Sequence, residues 1–367
     1  MLKIFHIADL HLGLTFRNHP EASDDLVNAR YETLGRLTIL ANKREADILV
    51  IAGDLFDKTG MKVSEIRRAA EMVSRFEGKA VLVLPGNHDY ITPESALWER
   101  FRVEAGEKIL VLDRKEPVDL SDYGLDAVVY PAPCHAKHSA ENAVGWVRHA
   151  GKPSDKMLIG IAHGSIGGVS PDFHGQYFPM EVSELEEAGV DIWLMGHTHI
   201  TWPEIPDQKD RIFNPGTPEP DGFDCRHGGR AFLHRMDADK SIRTEVLETG
   251  HHRFVQLEQE LNSPGDGRKL AEEFSGGEYQ NSVVKLTVSG RLDPEEYDEW
   301  LEIRSRIRKN CLELKMEDAA LRRKVTAEQI RKEFAEGSFP ELLLTSIPSD
   351  NEDELQMAYE LLREVMR

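Results

Sequence analysis

Five uninterrupted apolar runs each end in a cluster of histidine, aspartate or asparagine, and no other feature constrains this chain as tightly. The runs lie in FHIAD, LVIAG, VLVLPG, LIGIAH and IWLMG. The clusters are Asp9 and His11 in ADLHLG, Asp54 and Asp57 in AGDLFD, Asn87 and His88 in PGNHD, His163 in IAHG, and His197 and His199 in MGHTH. A short, wholly apolar run is what a strand needs when its sheet is covered on both faces. Between the runs lie one-sided helical patterns, at residues 29–44 through Leu34, Leu37, Ile39, Leu40 and Ala41, and at residues 62–76 through Val63, Ile66, Ala70, Val73 and Phe76. Strands alternating with helices define an α/β fold, and such folds place their sites in loops at the carboxyl ends of strands.

A lone histidine at a strand end is usually a packed or hydrogen-bonded residue, and Gly-Asn and His-Asp are good turn formers. Five such clusters, each in strand-to-loop position, are hard to reconcile with packing alone. They read as one dinuclear metal site. Two divalent cations roughly 3.5–4 Å apart can activate water and hold both oxygens of an in-line phosphoryl displacement. That chemistry asks for a shared carboxylate plus separate nitrogen and oxygen donors, and Asp54 suits the bridging role. Mixed imidazole and carboxylate donors allow manganese, iron or zinc.

Farther along, DAVVY and MLIGIAH flank a helical pattern over residues 140–150, and Glu181 to Ala188 leads into DIWLMGHTH. Past the last cluster, RIFNPG, RAFLHRM and IRTEVLE form shorter strands with little helix between them, as in the antiparallel return of a two-sheet sandwich. Residues 249–267, polar and rich in glycine around FVQLEQEL, mark the boundary, dividing the chain into residues 1–255 and 256–367. The second part predicts a strand in SVVKLTVSG and a helix over 294–310, N-capped by Asp293 with proline first. A strand in CLELKM and helices near 326–335 and 350–366 complete a small α+β unit. The last helix carries Leu355, Ala358, Tyr359, Leu362, Val365 and Met366 on one side, which suits either a core or a docking surface.

The ordered motifs D-x-H, G-D-x-x-D, G-N-H-D, a lone H and G-H-x-H resemble those of the calcineurin-like metallophosphoesterase superfamily. The resemblance implies an α/β/β/α two-sheet sandwich with a smaller C-terminal α+β capping domain. It implies a first metal on Asp9, His11, Asp54 and His199, and a second on Asp54, Asn87, His163 and His197. His88 would face the scissile phosphate as a catalytic residue that binds no metal. Asp57 would orient or support His88, or simply cap the loop before Lys62. IFHIADLHLG, GDLFDKTG and NPGTPEPDGFDC further resemble the nuclease subunit of double-strand-break repair complexes in its bacterial SbcD-type form, whose relatives carry Asp at the Asp57 position. That likeness implies manganese, DNA ends as substrate, an SbcC-type coiled-coil ATPase partner, and a homodimer built from the helices of residues 29–44 and 62–76.

Composition bears on the substrate. The 367 residues carry a formal net charge of −20, whereas nucleic-acid binding depends on neutralising phosphates and usually leaves a basic footprint. Local basic groups are candidates to meet that need: Arg67 and Arg68, Arg304 with Arg306, Arg308 and Lys309, Arg322 to Lys324, and Arg331 with Lys332. No run approaches the ~20 apolar residues of a membrane span, the start is unlike a signal peptide, and three separated cysteines suggest no disulfide framework. A cytoplasmic protein is expected. Two rival functions stand beside the nuclease: a small-molecule phosphoesterase acting on nucleotides or cyclic nucleotides, and a non-catalytic DNA-end-binding scaffold.

Overall fold

The structure is a computed structural model that describes residues 1–93, 96–172, 174–348 and 351–366. The chain divides into two compact units, Met1–Phe254 and Val255–Arg367.

The first unit is built on two sheets. One contains β1 (Leu2–Ile7), β2 (Ile48–Ala52), β3 (Ala80–Leu84) and β4 (Ile109–Val111), all parallel, extended on the β1 side by antiparallel β10 (Arg230–Met236) and β11 (Ile242–Glu248). The other runs β5 (Val118–Asp119), β6 (Ala127–Ala132), β7 (Met157–His163), β8 (Ile192–Gly196) and β9 (Ile212–Phe213), with only β5 antiparallel.

Alternate side chains of a strand point to opposite faces, and both faces here are buried. Ile4, Ile48, Val50 and Leu82 meet Val129, Ile159, Ile161 and Leu194 between the sheets. Their neighbours Phe5, Leu49, Ile51 and Val83 pack outward against Leu34 and Leu37 of α1 (Ser23–Lys43), Ile66 and Ala70 of α2 (Val63–Val73) and Trp98 and Phe101 of α3 (Leu97–Ala105). The far face of the second sheet packs Val128, Tyr130 and Trp193 against Val147 and Leu185, the latter on α4 (Val182–Glu187). Each fully buried aliphatic side chain contributes roughly 1.5–3 kcal/mol. The expected α/β/β/α sandwich is the observed fold.

Several element expectations need correction. The first helix begins at Ser23, six residues before Ala29. Residues 140–150 form no α-helix, only a 3₁₀ turn at Gly145–His149. There the Asn142 side chain accepts from the amides of Val144 and Gly145, both at 2.9 Å, and closes a turn that competes with helix. The strand in RIFNPG is not part of an antiparallel return: β9 runs parallel to β8, and β10 and β11 alone turn back.

The second unit carries a three-stranded sheet in the order β12 (Arg253–Leu261), β13 (Ser282–Leu292) and β14 (Glu313–Arg323), with β13 and β14 parallel. β12 occupies FVQLEQEL, so part of the expected boundary stretch is strand. On the sheet lie α5 (Asp266–Ser275) and α7 (Trp300–Arg308), which bury Leu270, Phe274, Trp300, Ile303 and Ile307 against Leu286 and Val288. The helix expected over 294–310 is broken at Glu299 into α6 (Pro294–Asp298) and α7, and the Asp293 side chain accepts no capping hydrogen bond. In α8 (Ala327–Glu333) the Thr326 hydroxyl does cap, accepting from Gln329 N at 3.2 Å. After α9 (Phe339–Ser346), α10 spans Glu352–Val365, and Asp350, the expected start, lies outside the described residues. Leu355, Ala358, Tyr359 and Leu362 pack on Val325, Ile330, Phe334 and Leu344, while Val365 and Met366 are exposed. No described helix is long and apolar enough to cross a membrane.

Most of the candidate basic groups are already paired with acids. Arg67 meets Glu104, Arg304 meets Asp318, Arg322 meets Glu360, Arg323 meets Asp298, Lys324 meets Glu352 and Lys332 meets Glu328, at 2.7–3.6 Å.

Candidate metal centre

The carboxyl ends of strands from both sheets converge on one place. Asp9 and His11 follow β1, Asp54 follows β2, Asn87 follows β3, His163 ends β7, and His197 and His199 follow β8. Four of these residues hold left-handed backbone: Asp9 at φ 57°, His11 at 45°, Asp54 at 51° and His197 at 102°. Such conformations cost on the order of 1–3 kcal/mol each and persist only where the surroundings over-determine them. Here the loops after β1 and β2 are laced together by Asp9 N to Gly53 O at 3.1 Å, His11 N to Asp54 O at 2.9 Å and Leu12 N to Leu55 O at 2.9 Å. Two glycines permit the close approach of other loops. A Cβ on Gly53 would lie 2.0 Å from His163 Nδ1, and one on Gly86 would lie 2.2 Å from Asp54 Oδ1.

All seven sequence-predicted ligands are brought together. On one side His11 Nε2 and His199 Nε2 face each other at 3.0 Å, with Asp54 Oδ2 3.6 Å from the first and Asp9 Oδ1 4.0 Å from the second. On the other, His163 Nε2 lies 3.3 Å from the same Asp54 oxygen and 3.0 Å from Asn87 Oδ1, which His197 Nδ1 also approaches to 3.0 Å. Asp9 is pinned from behind, both its oxygens accepting from His197 N at 3.0 Å. Imidazole nitrogens and acid or amide oxygens aimed at common points, with one carboxylate between two groups, fit two divalent cations.

Tautomers agree with this use. His163 Nδ1 donates to Ala52 O at 2.9 Å and His199 Nδ1 to Asp221 Oδ2 at 2.8 Å, since neither oxygen can donate. When those rings are neutral, each Nε2 keeps its lone pair toward the site.

Charge is balanced by these contacts in the metal-free protein. Burial opposes protonation of His163, but the Asp54 carboxylate outweighs it and the pKa rises to about 9. His199 likewise rises to about 9, Asp221 outweighing burial. Burial, aided by His163, lowers His197 to about 3. A raised histidine pKa adds stability that is complete below the unfolded value of about 6.5 and is lost as pH rises through the folded value. Metal-free protein should therefore lose thermal stability between about pH 6.5 and 9, by about 2–4 °C per kcal/mol lost. Metal binding displaces those protons, so the stabilisation added by manganese should grow across the same window. Calorimetric melting at fixed manganese checks both, and a pH-independent gain would contradict protonated His163 and His199 in the metal-free protein.

His88 stands at the edge of the centre, about a third exposed, with its amide donating to Asp54 Oδ1 at 2.8 Å. Its Nδ1 donates to the backbone carbonyl of Asp57 at 3.0 Å, whereas the Asp57 carboxylate is 3.8 Å away and equally far from His11 Nδ1. Orientation of the His88 ring thus comes through main chain. At the start of the following helix, Lys62 N donates to Glu65 at 3.0 Å.

Sequence reasoning misses three further residues. Asp89, fully buried, accepts from Phe56 N at 2.9 Å and Gly86 N at 2.7 Å and so ties the loop after β2 to that after β3. Burial raises its pKa to about 8. Its signal is the final letter of GNHD. Asp221 lies within NPGTPEPDGFDC, a segment that stands out only as a whole. Arg30, in the middle of α1, carries no local signal at all. A cavity of about 260 Å³ lined by His11, Asp57, Asn87, His88 and His199 opens toward a groove of about 700 Å³, the two sharing Tyr177, His197, His199 and Asp221.

A two-sheet α/β sandwich with clustered His, Asp and Asn at converging strand ends defines a phosphoesterase class of protein. The calcineurin-like phosphoesterase family matches residues 2–201, and the chain belongs to that family. Among its relatives, the DNA double-strand break repair protein Mre11 of Archaeoglobus fulgidus is 36% identical over 319 residues, 80% of this chain and 70% of that protein. The protein of the same name from Saccharolobus solfataricus is 25% identical over 307 residues, 79% and 76% of the two chains. The uncharacterized metallophosphoesterase YhaO of Bacillus subtilis is 25% identical over 207 residues, 54% of this chain and 48% of that protein. The family uses divalent metals, and this chain is a phosphoesterase-family hydrolase with candidate His/Asp metal clusters.

Proposed function

We propose that this protein is a metal-dependent DNA nuclease that hydrolyses phosphodiester bonds at DNA ends in double-strand-break repair. The observation that carries the proposal is the gathering of seven donors, with the Asp54 carboxylate between two groups of them and His88 at its edge, in a chain 36% identical to an Mre11 repair protein over four-fifths of its length. In this reading Asp9, His11, Asp54 and His199 hold one cation, and Asp54, Asn87, His163 and His197 the other. Bound there, the pair supplies an activated water and neutralises charge developing on the phosphoryl oxygens.

The chain's own groups do the rest. Asp54 keeps the two donor groups in register, and Asn87 spaces His163 from His197. His88, with Nδ1–H held by the Asp57 carbonyl, can give a proton from Nε2 only as the imidazolium; in that form it protonates or stabilises the departing oxygen and is left as the neutral imidazole. Manganese is the proposed metal and the cytoplasm the proposed location. Residues 256–367 would act as a capping domain that selects DNA. The proposed partners are an SbcC-type coiled-coil ATPase, for which the exposed Met357, Leu361 and Val365 on α10 offer an apolar docking face, and a second copy of the chain, met through the helices of residues 29–44 and 62–76.

The small-molecule reading is favoured by one observation: six of the candidate basic side chains, Arg67, Arg304, Arg322, Arg323, Lys324 and Lys332, are already engaged by acids, which lowers their charge toward a polymer backbone. Chelated protein, with and without added manganese, should be offered labelled double- and single-stranded DNA ends and a generic small phosphodiester. Manganese-dependent DNA cleavage is expected. Cleavage of the small ester alone would overturn the nuclease reading, and binding without cleavage would favour a scaffold.

A further inference from the structure

The last candidate ligand, His199, is held by a buried chain of contacts that reaches back to α1. Its Nδ1 lies 2.8 Å from Asp221 Oδ2, and that carboxylate is 16% exposed. Behind it, 3.8 Å away, stands the guanidinium of Arg30, which is 1% exposed. The same guanidinium donates to Leu10 O at 2.6 Å and to Glu219 O at 3.2 Å. One buried cation therefore grips the turn between Asp9 and His11, the segment that bears Asp221, and Asp221 itself. The segment is fixed again by Thr217 Oγ1, which donates to Asp9 O at 2.9 Å.

This arrangement differs from those of the other imidazoles. His163 and His88 donate Nδ1–H to neutral backbone carbonyls, of Ala52 and Asp57. Among the described imidazoles of the centre, only His199 has its Nδ1 within hydrogen-bond distance of a carboxylate, the Nδ1 atoms of His11 and His88 both lying 3.8 Å from Asp57. A carboxylate behind a ligating imidazole fixes its tautomer and raises its basicity, and loss of such a partner typically weakens metal binding about 10–100-fold. Arg30 makes that carboxylate a fixed object. Of the five donors of a guanidinium, it commits two to carbonyls on different segments, so the cation that faces Asp221 at 3.8 Å is itself fixed in place.

We infer that Asp221, anchored by Arg30, is a positioning residue that fixes the Nε2 lone pair of His199 for one metal of the pair and tunes that site separately from the other. The inference rests on the dinuclear reading of the centre. Its consequence is asymmetry: the site of Asp9, His11 and His199 depends on Asp221, whereas that of Asn87, His163 and His197 does not.

The test is titration of chelated protein with manganese alone, followed by calorimetry and by the electron paramagnetic resonance of free manganese, on wild type, Asp221→Ala, Asp221→Asn and Asp221→Glu. In Asp221→Ala one of two sites should weaken about 10–100-fold while the other keeps its affinity, with Asp221→Glu restoring most of the loss. In zinc-loaded protein with ¹⁵N-labelled histidine, the His199 Nδ1–H resonance should be slow to exchange in wild type and lost in Asp221→Ala. Should Asp221→Ala fail to fold, Asp221→Asn, which keeps an acceptor and removes the charge, must still show weakening confined to one site. Equal affinities at both sites, with the resonance retained or with only a lower melting temperature, would overturn the inference. A wild-type protein that binds no manganese would instead remove the dinuclear reading itself.

Discussion

Asp54→Asn is expected to lose both metals at micromolar concentration and to reduce turnover by at least about 10²–10³-fold, the range seen when one preorganised electrostatic group is removed. The side chain is 2% exposed and one oxygen faces both donor groups, 3.3 Å from His163 Nε2 and 3.6 Å from His11 Nε2. Burial alone would raise its pKa, but the charge of His163 outweighs burial and holds the group ionised well below the usual carboxylate range. Asparagine can still accept from His88 N, so the loop after β3 should keep its place. What it cannot supply is the shared negative charge, and its amide hydrogens would point at imidazoles that must present lone pairs. Metal content by elemental analysis, alongside circular dichroism, checks the case. Full metal occupancy in a folded variant would refute the bridging role.

His88→Ala is expected to behave in the opposite way. It should keep two metals and lose about 10²–10⁴-fold in turnover, the usual contribution of a positioned acid or base. The ring touches no member of the donor set through a hydrogen bond; its Nδ1 is taken by the Asp57 carbonyl and its amide, which any residue retains, meets Asp54. The loss should shrink for a substrate whose leaving group is already a good one, such as a nitrophenyl ester, because protonation of the departing oxygen then matters less. Equal loss for good and poor leaving groups would assign His88 to charge stabilisation rather than proton transfer. Unchanged turnover would remove it from the chemistry. Together the two variants separate holding metal from using it.

Much of the site was legible because its residues recur where strands end. A strand covered on both faces must be apolar throughout, so a histidine or aspartate at its carboxyl end stands out against the run. The same signal has a limit. His6 lies within the first run, two positions before Ala8, and is wholly buried. It points between the sheets, with Nε2 bonded to Met195 O at 3.1 Å and its ring beside His234, and burial lowers its pKa to about 3. Nothing in its local sequence separates it from a ligand, only the face of β1 on which it falls. The helix expected over residues 140–150 failed for a different reason: periodicity was satisfied, but a side-chain turn at Asn142 was locally preferred.

The sequence by itself determined the α/β class and the strand ends where seven candidate donors and His88 gather, because each depends on residue type at a strand boundary; the two-sheet sandwich and the roles of those residues were implied by the family resemblance. Only the tertiary structure decided how those donors are held. Asp221, Arg30 and Asp89 act across separations of 22 residues for His199 to Asp221, 20 for Arg30 to Leu10 and 33 for Asp89 to Phe56. A buried carboxylate or guanidinium finds its partners wherever the packed sheets and α1 bring them, and no periodicity in the chain records that meeting. The donors are written locally; their orientation is a property of the fold.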